Sequence, residues 1–327
     1  MTESTSSSGP AHGPALLRGL IKLARPHQWS KSVFVAIGPF YWLTDNTPED
    51  VWVFAADVLM ACVAFALASS GCYVFNDLAD VNEDRNHPRK KNRPIASGMV
   101  GESLARWYGL ALFAAASLLI IVLPSQTKWV TGAFLLAYVV NVMAYSARLK
   151  HIVIADVMSL SMGFVLRVLG GCAAISIAPT TWLLNVVLFL SMTLAFGKRL
   201  GERRSTTGDV STIRGVQSEY SDDLLRMAVV VTAVGTLLTY AGYVTTREAD
   251  FSWPAGNPDQ GFNLLWITMI PATYALLRAM LLLEHGKYDD PTELAVADRP
   301  FKAAAAVFGL IMLGLWLYVR GGGRGGG

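Results

Sequence analysis

Asn76-Asp77-Leu78-Ala79-Asp80-Val81-Asn82-Glu83-Asp84 closes a long apolar run and carries the densest potential chemistry in the chain. Asn76, Asp80 and Asp84 recur at i, i+4 and i+8, with Asp77 three before Asp80, so on a helix they form one stripe. Charged side chains in a membrane segment are costly and mark function. Neighbouring carboxylates repel one another unless a cation lies among them, and an all-oxygen donor set suits Mg²⁺. Mg²⁺ points in turn to a phosphorylated substrate. The stripe is followed by His87-Pro88-Arg89-Lys90-Lys91-Asn92-Arg93-Pro94-Ile95-Ala96-Ser97-Gly98. A metal–diphosphate needs both carboxylates for the metal and bases for the phosphate oxygens. The bland alternative for the basic cluster is a topology signal alone.

The elements that must position these groups are membrane helices. Of 327 residues, 53% are hydrophobic and 16% charged, well below the roughly 25% charge usual in soluble domains. Several runs approach the ~20 apolar residues that cross a bilayer. Continuous apolar runs, without period-two alternation, select helices over a barrel. Nine spans are predicted, near 29–44, 52–76, 104–123, 129–147, 152–176, 181–200, 223–246, 262–283 and 302–319. The fold class is therefore all-α and polytopic.

Lys and Arg crowd alternate connections. They include Arg18, Lys22, Arg25 and Lys31 before the first span, and Arg85, Arg89, Lys90, Lys91 and Arg93 after the second. Arg148 and Lys150 follow the fourth; Lys198, Arg199, Arg203, Arg204 and Arg214 follow the sixth; Lys287 and Arg299 follow the eighth. The rule that positive loops stay inside then places the N-terminus and the acidic stripe on the cytoplasmic side and the C-terminus outside; the expected location is the plasma (cell inner) membrane. The segment 19–31 is amphipathic and is expected to lie in the interface, with Trp29 at headgroup level. Trp42, Trp52, Trp129 and Trp182 read as interfacial belt residues. Long cytoplasmic connections at 83–103, 201–221 and 284–300 are expected to cap a site.

The polar segment 1–17 reads as a disordered tail, 18–320 as one transmembrane domain and 321–327 as a flexible Gly-rich tail. Cys62, Cys72 and Cys172 fall in apolar segments without a pairing pattern and read as small buried side chains. The net charge of +3 says little by itself. No nucleic-acid partner is expected, and a homo-oligomer is left open.

Arg25-Pro26-His27-Gln28-Trp29, Asn76-Asp77-x-x-Asp80-x-x-x-Asp84, Arg93-Pro94-Ile95-Ala96-Ser97-Gly98 and Tyr145-Ser146-x-x-Leu149-Lys150, in this order, resemble the UbiA superfamily of intramembrane transferases. The resemblance covers the transmembrane region. It implies nine helices around a central cavity with cytoplasmic cap loops, and an acidic motif that binds Mg²⁺ and diphosphate. Asn76, Asp77, Asp80 and Asp84 are then the expected metal ligands, with the three aspartates catalytic.

One departure is informative. Most of the family carries a second DxxxD motif at the end of the sixth helix, where this chain has Gly197-Lys198-Arg199-Leu200-Gly201-Glu202-Arg203-Arg204. Fixed positive charge suits additional anionic groups better than a second metal does. Phosphoribosyl diphosphate and a polyprenyl phosphate together supply three anionic centres. The replacement, with Glu202, the segment around Tyr220 and the stretch 282–300, is similar to a subgroup, the decaprenyl-phosphate phosphoribosyltransferases of arabinan-type cell-wall precursor synthesis. That similarity implies transfer of 5-phosphoribosyl to the lipid phosphate. Arg93, Tyr145, Lys150, Lys198, Arg199 and Glu202, with Asn76, are then the candidates for substrate binding. Residues 290–293 equally fit an ordinary helix N-cap turn. The alternative activity is prenyl transfer from a polyprenyl diphosphate to an aromatic or other acceptor, which the acidic stripe fits equally well. A transporter is disfavoured because transporters place polar binding groups near the midplane.

Overall fold

The computed structural model describes residues 13–43, 46–88, 90–124, 126–205, 220–253, 261–285 and 297–319. Residues 1–12, the connection segments 206–219 and 286–296 (with 290–293) and the tail 320–327 lie outside the described residues.

The helices are α1 Pro14–Ala24, α2 Val33–Trp42, α3 Val51–Ala79, α4 Val81–Asn86, α5 Glu102–Val122, α6 Lys128–Ala147 and α7 Ala155–Ala174. They continue with α8 Thr181–Ser205, α9 Asp222–Thr246, α10 Glu248–Phe251, α11 Met269–Glu284 and α12 Arg299–Tyr318. The described strands are β1 Ser252–Trp253 and β2 Phe262–Asn263, paired antiparallel with Ser252 opposite Asn263. Among the described residues, eight helical segments are long and apolar enough to cross a membrane. The expected first span, 29–44, is instead divided into a 3₁₀ helix Pro26–Ser32 and the short α2, which contains Pro39.

The chain divides into two compact units. One comprises residues 1–147 and 166–178, the other 148–165 and 179–327, so α7 contributes to both. In the first unit α3 is the central element. Asp50 caps it by accepting from the amides of Trp52 and Val53. Its 29 residues span about 43 Å at 1.5 Å per residue, longer than the ~30 Å hydrocarbon core. The acidic stripe begins in the last turn of this long helix. α5 and α6 pack on α3, and Phe65, Leu135, Tyr138 and Val35 join its buried cluster. A second cluster joins Leu23 of α1, Val74, Ile95 and Val100. Leu118, Ile121, Leu136 and Val140 are exposed, as lipid-facing side chains must be.

α2 and the C-terminal half of α7 touch at backbone distance. A Cβ at Gly171 would collide with the Val35 carbonyl, and one at Gly38 with the Cys172 sulfur. Close approach through small residues is how helices pack where water gives no driving force. Gly171→Ala is accordingly expected to cost about 1–3 kcal/mol through overpacking. A lower thermal midpoint in mild detergent is the check.

In the second unit α8 packs along α9, and α11 against α12. Ser221 caps α9 through the Leu224 amide. Asp298 caps α12 through the Phe301 amide and takes both Nε and Nη2 of Arg278 from α11.

Candidate functional site

The acidic stripe straddles a helix junction. Asn76 and Asp77 end α3, Asp80 is the joint (φ −89°, ψ 3°), and Asp84 lies in α4. The Asp80 amide still donates to the Asn76 carbonyl and the Asp84 amide to the Asp80 carbonyl, at 3.0 and 2.9 Å. The i, i+4 alignment therefore survives the joint.

The four polar side chains have different surroundings. Asn76 Nδ2 donates to Asp80 Oδ2 at 3.3 Å. Asp77 is buried, and its Oδ1 accepts from Arg25 Nη2 at 2.7 Å and Arg93 Nη1 at 3.1 Å. Asp84 is buried as well; its Oδ2 accepts from the same Arg93 Nη1 at 2.7 Å. Lys90 Nζ lies 3.9 Å from Asp84 Oδ1, which has no hydrogen-bond partner among the described residues.

Local folding explains how the arginines reach these acids. Arg25 ends α1 in the left-handed region (φ 51°) and precedes Pro26. Ser70 Oγ donates to the Ala24 carbonyl and accepts from Trp29 Nε1, pinning that corner onto α3. Trp29, expected at headgroup level, is thus also a structural donor. Arg93 is placed by a turn whose Ser97 amide donates to the Arg93 carbonyl and whose Val100 amide donates to the Pro94 carbonyl. Ile95 and Val100 anchor that turn in the core.

Donor chemistry here fits a hard cation, because the carboxylates and the Asn76 amide oxygen are hard oxygen donors and one buried carboxylate oxygen, Asp84 Oδ1, has no hydrogen-bond partner among the described residues. Among the described residues no three acidic, His or Cys side chains gather closely enough to hold an ion alone. Substrate oxygens would have to complete the shell, as Mg²⁺ sites on phosphates usually require.

In the second unit α8 carries the basic strip. Arg199 is buried; its Nε donates to Asp156 Oδ2 at 3.2 Å and its Nη1 to Glu202 Oε2 at 3.0 Å. Lys198, about one-third exposed, has Nζ 3.9 Å from Glu202 Oε1. Arg203 Nε donates to Asp222 Oδ1 at 2.7 Å. Asp156 Oδ1 also accepts from the Tyr220 hydroxyl at 2.7 Å, and that hydroxyl accepts from the Ile154 amide at 2.6 Å. Burial, then the hydrogen bond to Asp156, push the Tyr220 phenol well above its ordinary pKa. Lys150 sits in the 3₁₀ turn Leu149–His151 and Tyr145 near the end of α6, both half-buried.

The structure thus gathers Asn76 with Asp80, and Asp77, Arg93 and Asp84 around one guanidinium nitrogen. It gathers Lys198, Arg199 and Glu202 on one helix. Arg25 and Asp156 were not singled out from sequence as site residues. The Arg25-Pro26 pair was visible as a motif; Asp156 was hidden because a lone acid in an apolar run has no periodic partner. Arg167 of α7 was also missed. It is buried, donates from Nη2 to the Tyr138 hydroxyl at 2.7 Å, and its signal was a lone charge inside a span.

With this geometry in hand, likeness to known proteins is interpretable. Residues 32–305 match the UbiA prenyltransferase family. A decaprenyl-phosphate phosphoribosyltransferase of Mycolicibacterium smegmatis is 34% identical over 314 residues, covering 91% of this chain and 93% of that protein. The protein of that name in Corynebacterium glutamicum is 31% identical over 308 residues, covering 91% and 87%. In fold, the chain is similar to a UbiA homolog from Archaeoglobus fulgidus bound to GPP and Mg2+, with a TM-score of 0.59 at 15% identity, covering 93% and 98%.

Proposed function

Because this chain belongs to the UbiA prenyltransferase family, we propose that it is a membrane transferase that moves 5-phosphoribosyl from phosphoribosyl diphosphate to a polyprenyl (decaprenyl) phosphate. Diphosphate is released. The observation that carries this reading is Lys198-Arg199-x-x-Glu202, a basic strip with a single acid on α8. The curated relatives above, which this chain matches nearly end to end, bear the name of that activity. The product would serve cell-wall arabinan precursor synthesis. The reaction would take place at the cytoplasmic side of the plasma membrane, with the N-terminus inside and the C-terminus outside.

Asn76, Asp80 and Asp84 are the residues that would hold Mg²⁺, which when bound offsets the charge that builds on the departing diphosphate. Asp77 serves chiefly to hold Arg25 and Arg93, whose remaining N–H groups can be offered to phosphate oxygens. As the C1–O bond of the ribosyl diphosphate breaks, the sugar takes on oxocarbenium character. A lipid phosphate oxygen attacks the opposite face, forming the new C1–O bond with inversion. A phosphate monoester is anionic at neutral pH, so no strong general base is needed, and catalysis rests on positioning and electrostatics. Lys198, Lys150 and Tyr145 are the candidates for the phosphate monoesters, while Arg199 is held between Asp156 and Glu202 and stiffens the strip.

Incubating membranes with labelled phosphoribosyl diphosphate and polyprenyl phosphate should yield a labelled lipid. Label transfer only from a prenyl diphosphate to an aromatic acceptor would replace this reading with prenyl transfer. Lys198→Ala is expected to raise the KM for phosphoribosyl diphosphate or polyprenyl phosphate about tenfold, the loss of one charge-assisted contact, with Mg²⁺ dependence unchanged. Unaltered constants for both substrates would remove Lys198 from the site.

A further inference from the structure

Ile154 adopts φ 68°. That is the left-handed region, uncommon for any residue with a Cβ and a genuine outlier for a β-branched one. Such backbone persists only where its surroundings over-determine it. Here Ile154 stands immediately before α7. Its carbonyl accepts from the Met158 amide at 2.8 Å, and its own amide donates to the Tyr220 hydroxyl at 2.6 Å. The Ile154 side chain is half exposed, so packing by itself is a weak brace for this conformation. Polar contacts brace it. From Ile154 the bonds run without interruption through Tyr220, Asp156 and Arg199 to Glu202, which lies 3.9 Å from Lys198 Nζ. Tyr220, Asp156 and Arg199 are all buried. Lys150 belongs to the 3₁₀ turn just before Ile154. The chain of bonds thus ties the turn bearing one candidate phosphate-binding lysine to the helix bearing another.

We propose that Tyr220 is a positioning residue: its hydroxyl latches the strained Ile154 turn and so fixes Lys150 against the Lys198 strip for phosphate binding. The role of the lysines rests on the phosphoribosyl-transfer reading; the latch itself does not. Tyr220→Phe removes the acceptor of the Ile154 amide and the donor to Asp156 with little change in shape. The turn is then free to relax out of the left-handed region. Ile154→Gly relieves the strain from the other side, because glycine adopts φ > 0 without penalty.

Two measurements test this. In the transfer assay, Tyr220→Phe should raise the KM for phosphoribosyl diphosphate or for polyprenyl phosphate about tenfold with kcat nearly unchanged. The Tyr220→Phe/Ile154→Gly double variant should recover most of that loss. Unchanged KM values for both substrates, or a double variant no better than Tyr220→Phe, would overturn the positioning role. Hydrogen–deuterium exchange on the full-length protein in detergent should show peptides covering 149–157 exchanging faster in Tyr220→Phe than in wild type. Equal exchange would overturn the latch. Should the wild-type protein make no phosphoribosyl lipid, the functional reading fails, and the exchange experiment still decides the latch.

Discussion

Asp80→Ala is expected to abolish transfer, with kcat falling about 10³-fold or more, while the protein remains folded. The magnitude follows from losing several kcal/mol of metal-based charge stabilisation, at 1.36 kcal/mol per tenfold in rate. The retained fold follows from position. Asp80 is partly exposed at the α3–α4 joint, and its backbone carries the helical bonds to Asn76 and Asp84. Asp84→Ala should lose as much activity, yet also unfold more easily, because Arg93 would lose its shorter carboxylate contact and keep only the one to Asp77 among these contacts. Membranes containing each variant, assayed over a Mg²⁺ titration beside thermal midpoints in detergent, would separate the two effects. Turnover like wild type in either variant would remove the metal-site assignment.

Arg93→Ala is expected to be the most destabilising single change at the site. One guanidinium nitrogen bridges Asp77 and Asp84, both almost inaccessible. Removing it leaves Asp84 a buried carboxylate whose nearest base among the described residues is a Lys90 ammonium 3.9 Å away. Breaking a buried pair from one side typically costs about 3–5 kcal/mol, reduced here because Arg93 is itself about a quarter exposed. Arg93→Lys should recover part of the loss, since a single nitrogen makes both contacts and an ammonium also carries several donors on one nitrogen. The Arg93→Ala/Asp84→Asn double variant should be more stable than Arg93→Ala, because the stranded charge is gone. A thermal midpoint that does not move in Arg93→Ala, or a double variant that is worse, would show that the bridge carries no such weight.

Much of this was legible in the chain. The apolar runs located the long helices because a bilayer imposes length and apolarity on every crossing segment. The eight long helical segments coincide closely with predicted spans. The first predicted span did not emerge as one helix: a 3₁₀ helix that opens at Pro26 runs to Ser32, and α2 begins only at Val33, a change of helix type to which hydropathy is blind. The stripe Asn76–Asp80–Asp84 was legible because i, i+4 spacing is a local property. The pairing of Asp77 with Arg25 was not, because those residues are 52 apart in sequence.

What the sequence determined alone was the class of molecule and the side chains it carries: helices for a bilayer, a stripe of oxygen donors after the second predicted span, and a basic strip at the end of the sixth. Local periodicity and composition suffice for these. Tertiary structure decided the division of labour. It bound Asp77 to two arginines, left one oxygen of Asp84 without a hydrogen bond, buried Arg199 between Asp156 and Glu202, and set Tyr220 on the strained Ile154 turn. A side chain's charge is written in the sequence. Its partner is not, because partners are chosen by the packing of distant segments that exclude water around both.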